Sequence, residues 1–140
     1  MSNNKAIKVA LVGNPNTGKT SLFNQLTGLN QKVGNYPGIT VDKKVGSAQL
    51  SKNCTARILD LPGTYSINPT TLDENIVLQT LLNKAHQDFP DVIVVVADIE
   101  NIKRNLLLFS QIKDLQIPTI LAVNMADQME RKGIKININY

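Results

Sequence analysis

Eight consecutive residues, Gly13-Asn14-Pro15-Asn16-Thr17-Gly18-Lys19-Thr20, carry the strongest chemical signal in the chain. Glycine lets the backbone turn tightly, so that successive N–H groups point inward at an anion. Lys19 brings a mobile ammonium to the β- and γ-phosphates of a nucleotide. The Thr20 hydroxyl is a hard oxygen ligand suited to Mg²⁺. The pattern is G-x-x-x-x-G-K-S/T, a P-loop, and it requires a strand before it and a helix after it. Residues 6–12 read as that strand. Lys19 to Thr27 reads as the helix, with Leu22, Phe23 and Leu26 on one face and Gly28 as its stop. The helix start adds its positive dipole end to the cradle.

Three weaker signals follow in chain order. Asp60-Leu61-Pro62-Gly63 closes a strand, where a carboxylate reaches Mg²⁺ through water and the Gly63 N–H meets a γ-phosphate. Thr40 ends a glycine-bearing stretch and is placed to close on Mg²⁺ and the γ-phosphate, which would make that stretch a switch. Asn124-Met125-Ala126-Asp127 follows the last clear strand. A carboxylate there accepts two hydrogen bonds from guanine, and adenine would leave it unpaired. A turn, a loop threonine or a helix cap explains each of the three alone. Together, in order, and each at a strand end, they read as a GTP-binding domain.

The expected GTP contacts are therefore Gly13, Asn14, Pro15, Asn16, Thr17, Gly18, Lys19, Thr20 and Ser21 in the cradle. Gly38, Ile39 and Thr40 belong to the first switch, Asp60, Leu61, Pro62 and Gly63 to the second, and Asn124, Met125 and Asp127 to the base. Thr20, Thr40 and Asp60 are the Mg²⁺ residues. The switches span 30–41 and 61–72.

The elements that must position these residues can be read from periodicity. Residues 30–40 have no period and read as a loop. Val41 to Leu50 and Cys54 to Leu59 read as a hairpin around Ser51-Lys52-Asn53. Asp73 to Ala85 reads as a helix, with Asp73 and Glu74 at its positive end. The apolar run from Val92 to Ala97 has the composition of a strand buried on both faces. Lys103 to Leu115 reads as a helix, Pro118 to Val123 as a strand, and Met125 to Lys132 as a short helix. This alternation predicts an α/β fold: a P-loop, small-GTPase-like domain with a mainly parallel sheet, one antiparallel edge strand, and helices on both faces.

Composition narrows the class. The 140 residues carry a net charge of +4, with no Lys/Arg cluster of nucleic-acid type, so no nucleic-acid partner is expected. One cysteine, Cys54, excludes a disulfide framework and a cysteine zinc cage. No apolar run reaches membrane-spanning length, so a soluble fragment is expected.

The finer wording resembles a known family, the N-terminal GTPase domain of FeoB, the prokaryotic ferrous iron transport protein B. The phrases are Gly-Asn-Pro-Asn-x-Gly-Lys-Thr at 13–20, Leu-Phe-Asn-Gln-Leu-Thr-Gly at 22–28 and Val-Gly-Asn-Tyr-Pro-Gly-Ile-Thr-Val at 33–41. Asp-Leu-Pro-Gly-Thr-Tyr-Ser at 60–66, Asp-Glu at 73–74, Arg-Asn-Leu-x-Leu at 104–108 and Asn-Met-x-Asp at 124–127 complete them. The resemblance implies a G domain on the cytoplasmic face of the bacterial inner membrane, gating Fe²⁺ uptake. It implies a helical regulatory domain and a membrane-embedded permease region further along the same protein, and it leaves self-association open. On that reading residues 1–140 are one GTP-binding domain, truncated before the fifth guanine motif and the final strand and helix.

The same resemblance sharpens the catalytic set to Lys19, Asn16, Thr40, Gly63 and Thr64. Thr64 stands where many small GTPases have a water-orienting Gln, so slow hydrolysis is expected. Asn16 occupies the position where several similar GTPases hold K⁺, which implies K⁺-stimulated turnover. Met125 replaces a commoner Lys, and its thioether can lie over the purine. Three alternatives stand beside this reading: a soluble GTPase of the ribosome-assembly type, an ATPase of the same fold, and a nucleotide sensor without useful turnover.

Several residues are given structural roles. His86 reads as a solvated helix end, Cys54 as packing, Asn53-Cys54-Thr55 as a chance sequon, and Leu106 to Phe109 as helix core. Lys43-Lys44 and Arg131-Lys132 read as solvated faces, and no cluster of iron ligands is visible.

Overall fold

The computed structural model describes residues 5–28, 30–67 and 70–124. In chain order the elements are β1 (Lys5–Gly13), α1 (Lys19–Thr27), β2 (Gln31–Asn35), β3 (Asp42–Ser51) and β4 (Cys54–Asp60). They continue with α2 (Leu72–Leu82), β5 (Val92–Asp98), a 3₁₀ turn (Ile99–Asn101), α3 (Ile102–Lys113) and β6 (Thr119–Asn124). The strands form one sheet in the order β2-β3-β4-β1-β5-β6. β4, β1, β5 and β6 are mutually parallel, and β3 runs antiparallel to both β4 and β2.

The period-2 alternation of a strand explains the layering. Ala10 and Val12 of β1, Leu59 of β4, and Ile93 and Val95 of β5 point to one face, where Val77 and Leu81 of α2 and Leu108 and Ile112 of α3 cover them. Val9 and Leu11, Ala56 and Ile58, and Val94 point to the other face, under Phe23 of α1. Sealing Phe23 completely from water contributes about 2–3 kcal/mol. Helices on both faces bear out the predicted architecture.

Each helix has a local reason to start or stop. Gly18 precedes α1 in the left-handed region at φ 83°, and Gly28 ends it at φ 59°. The Thr71 hydroxyl caps α2 by accepting the Glu74 N–H at 3.1 Å. α2 stops at Leu82, three residues before the predicted end, because Asn83 turns extended and its side chain accepts the Ala85 N–H at 3.0 Å.

One expectation is corrected. Residues 30–40 are not wholly a loop: Gln31–Asn35 forms the edge strand β2, paired with Asp42–Gly46. The one strand that runs against the others, β3, therefore lies one place in from the edge. β2 has no apolar alternation to read, and Lys32 to Asn35 are all exposed. Its ladder to β3 holds it, and ladders leave no mark in hydropathy. Cys54 opens β4 as a half-buried free thiol.

Candidate functional site

Because β1, β4, β5 and β6 run parallel, Gly13, Asp60, Asp98 and Asn124 all emerge at one edge of the sheet. In open α/β sheets, ligands bind at that edge. The predicted cradle starts there. A Cβ on Gly13 would stand 2.7 Å from the Val96 carbonyl oxygen, so only glycine fits. The turn then needs left-handed backbone at Asn16 (φ 67°) and again at Gly18. The buried Thr17 hydroxyl donates to the Asn14 carbonyl at 3.0 Å and pins the turn.

Lys19, Thr20, Thr40, Asp60 and Gly63 line one cleft of about 460 Å³. Asn14, Asn16, Gly18 and Ser21 join Lys19, Thr20 and Gly63 around an adjoining space of similar size. The Lys19 ammonium forms a buried ion pair with the Asp60 carboxylate. Sequence-distant residues read as phosphate and Mg²⁺ groups thus converge, and hard oxygens from Thr20, Thr40 and Asp60 share one space. Asp73 in the first turn of α2 also faces this cleft. From the sequence, Asp73 reads as a helix-dipole partner and part of a family phrase, with no place in the phosphate site.

Other predicted residues sit differently. Leu61 is core, with its N–H bonded to the Leu11 carbonyl at 3.1 Å. Thr64 is buried, its hydroxyl donates to the Ser66 carbonyl at 2.6 Å, and its N–H donates to the Gly13 carbonyl at 2.9 Å. It ties the second switch to the cradle. Pro15 packs on Gly63: a Cβ added at Gly63 would meet Pro15 atoms at 3.1–3.2 Å. Gly38 (φ 77°) and Ile39 shape the turn that ends at Thr40, where the Ile39 N–H donates to the Tyr36 carbonyl at 3.2 Å. Asn124 donates through Nδ2 to the Thr17 carbonyl at 3.0 Å, which braces the end of β6 against the cradle. Met125, Asp127 and the predicted helix 125–132 lie outside the described residues, as do Arg131 and Lys132.

An ionic brace beside the first switch went unread. Asp88 is buried, accepts a hydrogen bond from Lys43 at 2.6 Å and forms an ion pair with Arg57 at 2.9 Å. Burial works to raise its carboxyl pKa, but the two cations outweigh it and hold the group below the usual range. Lys43 also lies 5.6 Å from the centre of the Tyr36 ring. The Tyr36 hydroxyl is buried without a hydrogen-bond partner, and burial, then Asp88 and Asp60, push its pKa up. Lys43 is thus no solvated-face residue. No pattern in the sequence pairs positions 43, 57 and 88. His86, half-buried after α2, accepts the Asp88 N–H at Nδ1.

A family model described as ferrous iron transport protein B matches residues 7–140. The Fe(2+) transporter FeoB of Leptospira biflexa is 43% identical over 134 residues, which cover 96% of this chain and 19% of that protein. The Fe(2+) transport protein A/Fe(2+) transporter FeoB fusion protein of Porphyromonas gingivalis is 43% identical over 131 residues, 94% of this chain and 15% of that one. The chain spans less than a fifth of the length of these curated relatives. Among solved structures, the cytosolic domain of the T. maritima FeoB iron transporter in a GDP form superposes with a TM-score of 0.87 at 42% identity, covering 95% of this chain and 50% of that one. A GDP-bound S. thermophilus NFeoB variant gives 0.82 at 44%, covering 93% and 49%.

Proposed function

The chain belongs to the ferrous iron transport protein B family, and on that premise we propose that it is the GTP-binding and GTP-hydrolysing switch of an Fe²⁺ transporter. The observation that carries this reading is the single cleft shared by Lys19, Thr20, Thr40, Asp60 and Gly63. The GDP named in the descriptions of the similar structures supports the ligand class.

In this reading a nucleotide's phosphates draw Lys19 away from Asp60. The cradle amides of residues 16–20 and the start of α1 hold the β-phosphate. Asp60, freed from the lysine, and the hydroxyls of Thr20 and Thr40 are the groups that would hold Mg²⁺. Those donors are hard oxygens and fit the ion, which supplies charge neutralisation between the β- and γ-phosphates. Gly63 offers its N–H to the γ-phosphate. Asn16 faces the same space with left-handed backbone and supplies an amide oxygen for K⁺. Asn124, Met125 and Asp127 bind the base. Thr64 contributes through its backbone tie to Gly13, and hydrolysis is slow because no Gln stands there to orient water.

At the scale of the whole protein, residues 1–140 form one GTP-binding domain on the cytoplasmic side of the membrane, followed by a regulatory domain and the iron permease. Among the described residues no helix is long and apolar enough to cross a membrane. The test is competition against a fluorescent GDP analogue. GDP is expected to displace it and ADP at the same concentration to leave it bound. Equal displacement by ADP would refute guanine recognition. Equal GTP turnover in Na⁺ and K⁺ would refute the role given to Asn16.

A further inference from the structure

The Arg104-Asn105 pair belongs to a family-specific phrase, yet the nucleotide reading gives it no task. Its two side chains point to different jobs. Asn105 is buried and accepts the Asp98 N–H through Oδ1 at 2.6 Å, which fixes the start of α3 to the end of β5. Arg104 is exposed, and its guanidinium carbon lies 4.6 Å from the centre of the Tyr65 ring. About two turns further along the same helix, Gln111 accepts the Ile67 N–H at 3.0 Å. Two α3 side chains therefore hold the segment that follows Gly63.

The rest of that segment's anchorage shows why these contacts matter. Leu61 is core and Ile67 packs against it, so both ends are held by apolar burial. Between them the chain crosses a polar cavity of about 210 Å³, lined by Asn14, Tyr65, Asp98, Arg104 and Asn105. Asn14 is 3% exposed, and among the described residues neither of its amide atoms has a hydrogen-bond partner. Tyr65 is 46% exposed and belongs to neither hydrophobic cluster of the core. Residues 63–66 are held by the Thr64–Gly13 bond, by the Thr64 hydroxyl on the Ser66 carbonyl, by the contact with Pro15, and by the side chains of α3.

We propose that Arg104, carried by the Asn105 anchor and seconded by Gln111, is a positioning residue for the second switch. It clamps Tyr65 so that Gly63 stays facing the phosphate cleft, and it thereby sets the rate of hydrolysis and not nucleotide affinity. This inference rests on the GTPase reading given above. The clamp itself does not need nucleotide to be observed.

The experiment compares Arg104→Ala, Gln111→Ala, their double variant and Tyr65→Phe with the unmodified 140-residue chain. Hydrogen exchange of the peptide over 61–67 is measured without nucleotide. Single-turnover GTP hydrolysis and GDP affinity are measured alongside. An exposed cation–π contact supports about a two- to fivefold faster exchange in Arg104→Ala. One lost hydrogen bond supports about fivefold in Gln111→Ala, and the double variant combines them to about tenfold or more. Hydrolysis is expected to fall by similar factors while GDP affinity stays within about twofold, and Tyr65→Phe, which keeps the ring, to behave as the unmodified chain. Unchanged exchange over 61–67 in Arg104→Ala would overturn the clamp. So would faster exchange with unchanged or accelerated hydrolysis, or a loss of GDP affinity as large as the loss of rate. If the unmodified chain neither bound nor hydrolysed GTP, the nucleotide reading would fail, and the exchange data would still decide the clamp.

Discussion

Asp88→Asn is the sharpest test of how the first switch is supported. The carboxylate is buried and faces two cations, Lys43 at 2.6 Å and Arg57 at 2.9 Å. Removing one partner of a buried ion pair costs about 3–5 kcal/mol. Here the cost is smaller, because the Arg57 side chain is 41% exposed and water screens its share. Lys43, at 18%, is the better-shielded partner, and an amide can still accept one hydrogen bond. The structure therefore supports a loss of about 2 kcal/mol near neutral pH. With a urea slope of about 2 kcal/mol/M, the unfolding midpoint moves down by roughly 1 M. The sign with pH follows from linkage. The folded carboxyl is held below the ordinary aspartate range it has in the unfolded chain, so the stability it adds is fully present above that range. It is lost as pH falls through the folded pKa. The gap between the parent chain and Asp88→Asn should stay constant from about pH 8 to pH 5 and close below about pH 4. Urea titrations at pH 7, 5 and 3 read it directly. A gap that persists undiminished at pH 3 would refute the ionic argument and leave shape or packing as the cause.

Two further perturbations test other parts of the fold. Gly13→Ala drives a methyl to 2.7 Å from the Val96 carbonyl oxygen and 3.1 Å from the Thr17 hydroxyl, so a loss of about 1–3 kcal/mol in thermal or urea unfolding is expected, together with loss of fluorescent GDP binding. Tyr36→Phe removes a buried hydroxyl that has no partner; its urea midpoint should hold steady or rise, by up to about 1 kcal/mol in stability, and a clear drop would show that the hydroxyl is bonded in solution.

What was legible in the sequence had a period or a strict local geometry. β5 could be read because Ile93 and Val95 serve one core and Val94 the other, which demands an unbroken apolar run. The cradle could be read because Gly13 and Gly18 answer backbone demands that few residues meet. β2 had neither signal: it lies at an edge, its side chains are solvated, and its pairing with β3 is a backbone affair. The Asp88 brace and the Arg104–Tyr65 contact were hidden for another reason. Each joins residues 31 to 45 positions apart through side chains, and tertiary packing alone brings them together. Asp73 shows a third case, since a helix-start carboxylate is explained locally and its cleft position adds nothing visible in sequence.

The same contacts divide the site into a part already set and a part that must travel. The cradle is fastened from three directions: Thr17 to Asn14 within the turn, Asn124 of β6 to Thr17, and Thr64 of the second switch to Gly13. Little is left for a phosphate to organise there, and preorganised donors are what stabilise developing charge at low cost. Thr40 differs. It sits exposed at the tip of the β2–β3 hairpin, whose turn closes with the Tyr36 N–H donating to the Val41 carbonyl at 3.0 Å. Tyr36 is buried on that side, and Lys43 under its ring is tied to Asp88. On the proposed reading, Thr40, already at the wall of the cleft, closes further onto a bound phosphate while the brace keeps the hairpin's base in place. Binding energy from the γ-phosphate and Mg²⁺ would then go into ordering that tip. On that reading a nucleoside diphosphate lacks the group that would draw Thr40 in, which is the physical difference a two-state switch needs.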